Sequence, residues 1–262
     1  MTLVAVRVVG LVTVQDLGRP GRMHEALPAA GALVPELLIA ANRAAHNPDG
    51  APALEVLGQL VVRAARELEI AVDLAPASLR AGEERRIVSE PRRVTYLAVR
   101  GGIAVPRVLG GRATQLSAGI GSALRSGDPI AIADAAALAV PAARLELDVD
   151  AAIRIVPGPD LDAFPPDALA RLIAGPYRIS PRSDRVGTRL DGRPIPRLAR
   201  VETSRPMVAG AIEVPADGMP IVLGPEHPTT GGYPILAVVV RADLGRCHAI
   251  RIGGLLRLAL RA

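Results

Sequence analysis

The chain of 262 residues has no tryptophan, one phenylalanine (Phe164) and three tyrosines (Tyr96, Tyr177 and Tyr233). A core must therefore be packed from Val, Leu, Ile and Ala, which the hydrophobic half of the sequence supplies. So few aromatics also leave no stacking platform for bases. The net charge of +5 is carried by scattered arginines, without a basic block, which argues against a nucleic-acid binder.

Lysine is absent too: all 31 basic residues are arginine. This excludes a lysine Schiff base, a P-loop lysine and a biotinylated lysine. Any phosphate or carboxylate must be met by arginine or backbone N–H groups. The single cysteine, Cys247, excludes an internal disulfide and a cysteine-based zinc cluster. The four histidines (His24, His46, His227 and His248) lack metal-ligand spacing, so no metal is expected. No apolar run reaches the roughly 20 residues of a membrane span. "MTLVAVRVVG" lacks the basic and apolar regions of a signal peptide, and a soluble, cytoplasmic protein is the expectation.

What is present is mostly β signal. "LVAVRVV", "LVTVQ", "LVVRA", "LEIAVDL", "RRIVS", "TYLAVR", "PIAIA", "IRIV", "PIVLG", "ILAVVV" and "LLRLAL" are short β-rich runs bounded by Gly, Pro or Asp. Helical spacing occurs in "GALVPELLIAANRAAHN", with Leu33, Leu37, Leu38, Ala41 and Ala45 on one stripe, and in "PPDALARLIAG". Many strands and few helices predict a closed or sandwiched β architecture. "LELDVD" closes one block and "IRIVPGP" opens another, placing a boundary near residue 148. The blocks echo one another in order: "VTVQDLGRPG" with "YRISPRSDRVG", "PAAGALV" with "MVAGAIEV", and "YLAVRGGI" with "PILAVVVRADL". A duplicated β-barrel unit follows, over residues 1–148 and 149–262.

Four loops carry polar chemistry. "QDLGRPG" is either an Asx-type turn closed by Asp16, or a loop at a barrel mouth with Asp16 and Arg19 orienting a substrate and His24 nearby. "RGGIAVP" (100–106) and "LGGRATQL" (109–116) each set two glycines beside an arginine, as hairpin turns or as an anion cradle. "SDRVGTR" gathers Ser183, Asp184, Arg185 and Arg189 without the context of a nucleophilic serine. "TTGGYP" (229–234) enters a strand through adjacent glycines, which are entropically costly and suggest a sharp bend or a close approach.

The order of these motifs resembles the biotin-dependent carboxyltransferase / allophanate hydrolase subunit 2 family, whose best-defined members are C subunits of the bacterial 5-oxoprolinase. The motifs are "VQDLGRPG", "YLAVRGGI", "SDR", "GAI.VP.DG.PIVL" and "TTGGYP", and the resemblance runs from about Val14 to about Asp243. It implies a mainly β fold of two tandem cyclophilin-like β-barrel domains with a few short helices. It implies a B-type partner with its own cyclophilin-like domain, an A-type partner, and ATP shared with those partners to open the lactam of 5-oxoproline to glutamate. Covalently bound biotin is not implied. The resemblance makes Asp16, His24 and Asp184 candidate catalytic residues. It makes Gln15, Arg19, Ser183, Arg185, Thr229, Thr230, Gly231, Gly232 and Tyr233 candidates for binding substrate.

The sequence departs from the family pattern at several positions. Ile235 stands where a lysine usually follows "TTGGYP". Glu226, His227 and Pro228 replace a stretch that usually carries Asp, Arg and Gln. Glu213 and Met219 replace glutamines, and Ala30 and Val34 replace a serine and an aspartate. The alternatives are therefore a non-catalytic regulatory or scaffolding partner of the B-type subunit, or a subunit related to urea carboxylase or allophanate hydrolase with another amide substrate.

Overall fold

The computed structural model describes residues 3–133, 145, 147–198 and 203–261. The chain is mainly β and divides into two compact units, Met1–Gly21 with Ala29–Glu146, and Arg22–Pro28 with Leu147–Ala262. The segment Arg22–Pro28, which a linear split gives to the first half, thus belongs to the second unit.

The first unit holds β1 (Leu3–Gln15), α1 (Pro35–Ala44), β2 (Ala53–Ala64), β3 (Leu68–Val72), β4 (Ala75–Leu79), β5 (Glu84–Val88), β6 (Thr95–Val99) and β7 (Pro129–Ile130). The sheet runs β4-β3-β6-β2-β1-β7, with β5 also on β2. "LVAVRVV" and "LVTVQ", expected as two strands, form the single strand β1, antiparallel to β2 from Leu3↔Ala64 to Gln15↔Ala53. Two glycines make this continuity possible. Gly10 faces Gly58 across the ribbon, both at positive φ, and a Cβ on either would lie 2.2 or 2.4 Å from the facing carbonyl oxygen. The ribbon bends there because neither residue has a side chain.

Alternate residues of β1 and β2 (Leu3, Val12, Leu54, Val56, Leu60 and Val62) enter the core with Ile70, Leu97 and Val99. α1 begins at Pro35 and packs Leu37, Leu38 and Ala41 inward against β6. Leu33 and Ala45, from the same expected stripe, are buried just outside its ends. Buried Glu55 and Tyr96 fix its entry: Leu33 N–H donates to Glu55 Oε2 at 2.7 Å, and Val34 N–H to the Tyr96 hydroxyl at 3.0 Å.

The second unit holds β8 (Ile153–Pro157), α2 (Ala168–Ile173), β9 (Tyr177–Ile179), β10 (Gly187–Asp191), β11 (Arg205–Pro206), β12 (Ala211–Glu213), β13 (Ile221–Leu223), β14 (Thr230–Gly231), β15 (Ile235–Val239), α3 (Arg241–Ala249), β16 (Leu255–Leu256) and β17 (Leu258–Leu260). Its main sheet runs β16-β9-β10-β13-β12-β15-β8-β17, and β11 pairs with β14. Ile155, Phe164, Tyr177, Ile179, Val222 and Leu236 lie in its core, so two of the four aromatics of the chain pack here.

α3 was not expected from the sequence. Its periodicity is masked because it buries polar and small residues, Asp243, Gly245, Cys247 and His248. Asp243 secures it to β8, accepting from Arg154 backbone N–H and Nε, both at 2.8 Å. In the second sequence echo, residues 28–34 contain no strand whereas 207–214 contain β12. The boundary segment "LELDVD" lies partly outside the described residues, and its described part contains no strand. No described helix is long and apolar enough to cross a membrane.

Candidate functional site

The polar loop after β1 is stitched into the first unit. Asp16 closes an Asx turn, Gly18 N–H donating to Oδ1 at 2.7 Å, and its Oδ2 accepts Arg112 N–H at 2.6 Å. Both carboxylate oxygens thus serve backbone amides. Arg19 is 1% exposed. It donates from Nη2 to Ala113 carbonyl (2.6 Å), from Nη1 to Gln115 Oε1 (3.2 Å) and from Nε to Val108 carbonyl (3.4 Å). Its guanidinium clamps the 108–115 loop, which explains how a cation remains buried. Gln15 is also buried and donates from Nε2 to Thr13 Oγ1 and to Thr114 carbonyl. His24 lies in the short helical turn Met23–Glu25, exposed, 3.6 Å from Glu25.

In the second unit, the "SDRVG" loop and the stretch before "TTGGYP" are held together. Arg185 Nε donates to Glu226 Oε1 at 2.6 Å, Glu226 N–H to Arg185 carbonyl at 3.1 Å, and Gly224 N–H to Val186 carbonyl at 2.8 Å. Asp184 Oδ1 accepts Val186 N–H and Gly187 N–H, a turn closure like that of Asp16. Ser183 Oγ accepts Arg189 N–H at 2.9 Å and donates to Arg189 carbonyl at 3.3 Å, so it clasps the middle of β10. His227 is buried, its Nδ1 2.8 Å from Pro228 carbonyl.

"TTGGYP" forms β14 and the entry to β15. Its adjacent glycines are not at positive φ. Gly231 instead packs closely, since a Cβ there would lie 3.2 Å from the Met207 side chain, tighter than an ordinary contact. Met207 N–H donates to Thr229 carbonyl, and Arg205 of β11 lies opposite Gly231. Arg205 ion-pairs with Asp160, whose Oδ2 also accepts Ile235 N–H at 2.7 Å. Asp160 and Arg205 were not singled out in the sequence, although "PGPD" marks the turn that presents the carboxylate. Thr230 and Tyr233 stay exposed, and neither side chain hydrogen-bonds among the described residues.

Beside this turn a row of residues crosses four strands: Arg189 on β10 faces Ile221 on β13, which faces Glu213 on β12, which faces Ile235 on β15. Glu213 is 7% exposed, and its carboxyl makes no hydrogen bond or ion pair among the described residues. Ala211, Ile221, Leu223, Ile235 and Met207 form the apolar cluster on this side of the sheet. Burial pushes the Glu213 carboxyl up to about 7, against the weaker opposing pull of Arg189. A carboxylic acid poised near neutrality can donate a hydrogen bond or exchange a proton. In the sequence Glu213 stood out only as a departure from a pattern; its pairing with Ile221 and Ile235 depends on strand register. No group of three or more potential metal ligands occurs among the described residues.

The family model for the carboxyltransferase domain, subdomain A and B, matches residues 88–260. The chain belongs to this family. Two relatives of this carboxyltransferase-domain chain are C subunits of 5-oxoprolinase. That of Escherichia coli is 33% identical, over 92% of this chain and 85% of the relative. That of Haemophilus influenzae is 28% identical, over 94% and 86%. Among solved structures, TTHA0988 is similar with a TM-score of 0.86 and 28% identity; the match covers 100% of this chain and 55% of that protein, so this chain spans about half its length.

Proposed function

We propose that this chain is the C-type component of an ATP-dependent 5-oxoprolinase-like amidohydrolase, which opens 5-oxoproline to glutamate together with a B-type and an A-type subunit. The observation that carries this reading is the 33% identity to the 5-oxoprolinase C subunit of Escherichia coli over 85% of that relative. The site proposed for this chain comprises Ser183, Asp184, Arg185, Thr229, Thr230, Gly231, Gly232, Tyr233 and Glu213 in the second unit. Gln15, Asp16 and Arg19 shape the loop after β1 within the first unit, and His24, on the exposed turn Met23–Glu25, is a proposed proton-transfer group of its own.

A lactam resists water because its nitrogen lone pair is delocalised, and addition of water to its carbonyl carbon develops negative charge on oxygen that donors must meet. Exposed Thr230 and Tyr233 hydroxyls offer such donors. Protonated Glu213 offers a third and can pass its proton to the amide nitrogen as water adds to the carbonyl carbon and the ring C–N bond breaks. Without lysine, the chain fits neither a P-loop nor a biotin carrier, so ATP is assigned to the partner subunits. The localisation that goes with this reading is the cytoplasm.

A second reading has its own support. Ile235, where the resemblance expects a lysine, is 4% exposed within the apolar cluster, which fits a scaffolding partner of the B-type subunit without catalysis of its own. One reconstitution separates the two. The three subunits should release glutamate from 5-oxoproline only with ATP, and only when this chain is present. A stable complex without turnover would overturn the first reading for that substrate in favour of the second.

A further inference from the structure

The two double-glycine stretches "RGGIAVP" and "LGGRATQL" are brought to the wall of one cavity of about 710 Å³, which lies wholly within the first unit. Its apolar walls include Pro48, Pro52, Ile103 and Val105, its cations are Arg107 and Arg112, and no acidic side chain lines it among the described residues. The backbone fixes this arrangement: Ile103 N–H donates to Pro52 carbonyl at 2.9 Å and Ala104 N–H to Ala131 carbonyl at 2.8 Å. Arg112 is anchored twice, by its backbone N–H on Asp16 Oδ2 (2.6 Å) and by its Nε on Val105 carbonyl (3.2 Å). Its terminal nitrogens have no hydrogen bond among the described residues, and Arg107 has no hydrogen bond or ion pair there at all.

Two guanidiniums without carboxylate partners among the described residues, on an apolar-walled cavity, are matched to one kind of ligand. The cations require an anion, and a planar guanidinium holds a carboxylate through two parallel hydrogen bonds. The apolar walls require a body that gains by leaving water. We infer that this cavity binds a small organic acid, its carboxylate held by Arg107 and Arg112 and its compact apolar body against Pro48, Pro52, Ile103 and Val105. The inference is independent of the proposed function, because binding is measured on this chain alone and no turnover is required.

The test is calorimetric titration of the purified chain with cyclopentanecarboxylate, 5-oxoproline, cyclopentanecarboxamide and inorganic phosphate. At least one of the two carboxylates should bind saturably at one site, with the uncharged carboxamide weaker by about tenfold or more, as expected when charge-assisted hydrogen bonds are lost. Arg107→Ala should weaken the bound carboxylate by about fivefold or more while shifting the unliganded melting temperature by no more than about 1 °C, since the residue is exposed. Arg112→Gln, with its own melting temperature as control, should weaken it similarly. The inference is overturned if neither carboxylate binds, if the carboxamide binds as well as the carboxylate, if phosphate binds more tightly than both, or if Arg107→Ala leaves affinity unchanged.

Discussion

Arg185 and Glu226 form an ion pair inside the second unit, Nε to Oε1 at 2.6 Å, with both residues more than nine-tenths buried. The pair ties the "SDRVG" loop to the segment entering "TTGGYP". Removing one partner leaves the other charge buried without compensation, which typically costs about 3–5 kcal/mol. Glu226→Ala should therefore lower stability by about that amount in urea melts of the isolated chain. Replacing both residues, Arg185→Met with Glu226→Leu, should recover most of the loss. A Glu226→Ala variant within about 0.5 kcal/mol of the parent would contradict the packing described.

Asp16 is expected to act first on stability. A single turn hydrogen bond contributes only about 1 kcal/mol. Here, however, one buried carboxylate accepts Gly18 N–H and Arg112 N–H, so Asp16→Ala leaves two amide donors without partners. A loss of about 2–4 kcal/mol is expected, with Asp16→Asn intermediate because its amide oxygen can keep one bond. Chemical denaturation of the two variants checks the order. An Asp16→Ala chain as stable as the parent but unable to support turnover would return Asp16 to a direct role on substrate.

Glu213 makes stability depend on pH. Its carboxyl titrates near 7 in the folded chain against an ordinary 4.5. Below 4.5 both states carry the proton; between 4.5 and 7 the folded state holds it while the unfolded state has released it. Stability should therefore fall as pH rises through that window and level off above it. Glu213→Gln removes the ionisation and should flatten this part of the profile. It should also make the variant more stable at pH 8 by on the order of 2 kcal/mol, taking one pKa unit as about 1.4 kcal/mol and allowing for residual water access. If Glu213 is the proton donor of the proposed reaction, turnover in the reconstituted complex should fall in the same variant, despite its greater stability.

Asp243 produces the opposite dependence. Hydrogen bonds from Arg154 hold its carboxyl well below the usual range, outweighing the opposing effect of burial, with further help from Arg246. A depressed folded value contributes stability that is present above the unfolded value of 3.8 and is lost as pH falls below it. Asp243→Asn should cost on the order of 2 kcal/mol at pH 7, as for hydrogen bonds to a charged group, and should show a shallower loss between about pH 4 and 2. Circular dichroism melts across that range measure both effects.

What was legible in the sequence follows the range of the interactions involved. α1 could be read because Leu37, Leu38 and Ala41 meet the core at helical spacing, a local pattern. α3 could not, because it is secured by Asp243 reaching Arg154, distant in sequence. Gly10 alone suggests a break between "LVAVRVV" and "LVTVQ"; the continuous ribbon depends on Gly58 facing it. The same limit applies to the site. The "SDR" and "TTGGYP" motifs were visible, but Glu226 against Arg185, Asp160 beneath Ile235, and Glu213 beside Ile221 are relations between strands. Ile235 is anomalous only as a replacement for lysine; within the cluster of Met207, Ala211, Ile221 and Leu223 it is an ordinary buried apolar residue.

Tyr233 separates folding from function more cleanly than any residue above. It is 41% exposed and has no hydrogen bond among the described residues, so its removal disturbs little of the packing. Yet it stands next to the Pro234 that continues into β15, on the turn held by Arg205 and Asp160, and that support should keep the backbone in place when the ring is cut away. Tyr233→Ala should stay within about 0.5 kcal/mol of the parent in stability, as exposed substitutions usually do. In the reconstituted assembly it should lower ATP-dependent glutamate release by about a hundredfold or more, the scale of one lost donor to a developing oxyanion. Tyr233→Phe distinguishes the two uses of the side chain: a defect equal to that of Ala points to the hydroxyl, whereas recovery points to the ring as a contact surface for a partner subunit. Full turnover in both variants would remove Tyr233 from the site and leave Thr230 and Glu213 as its donors.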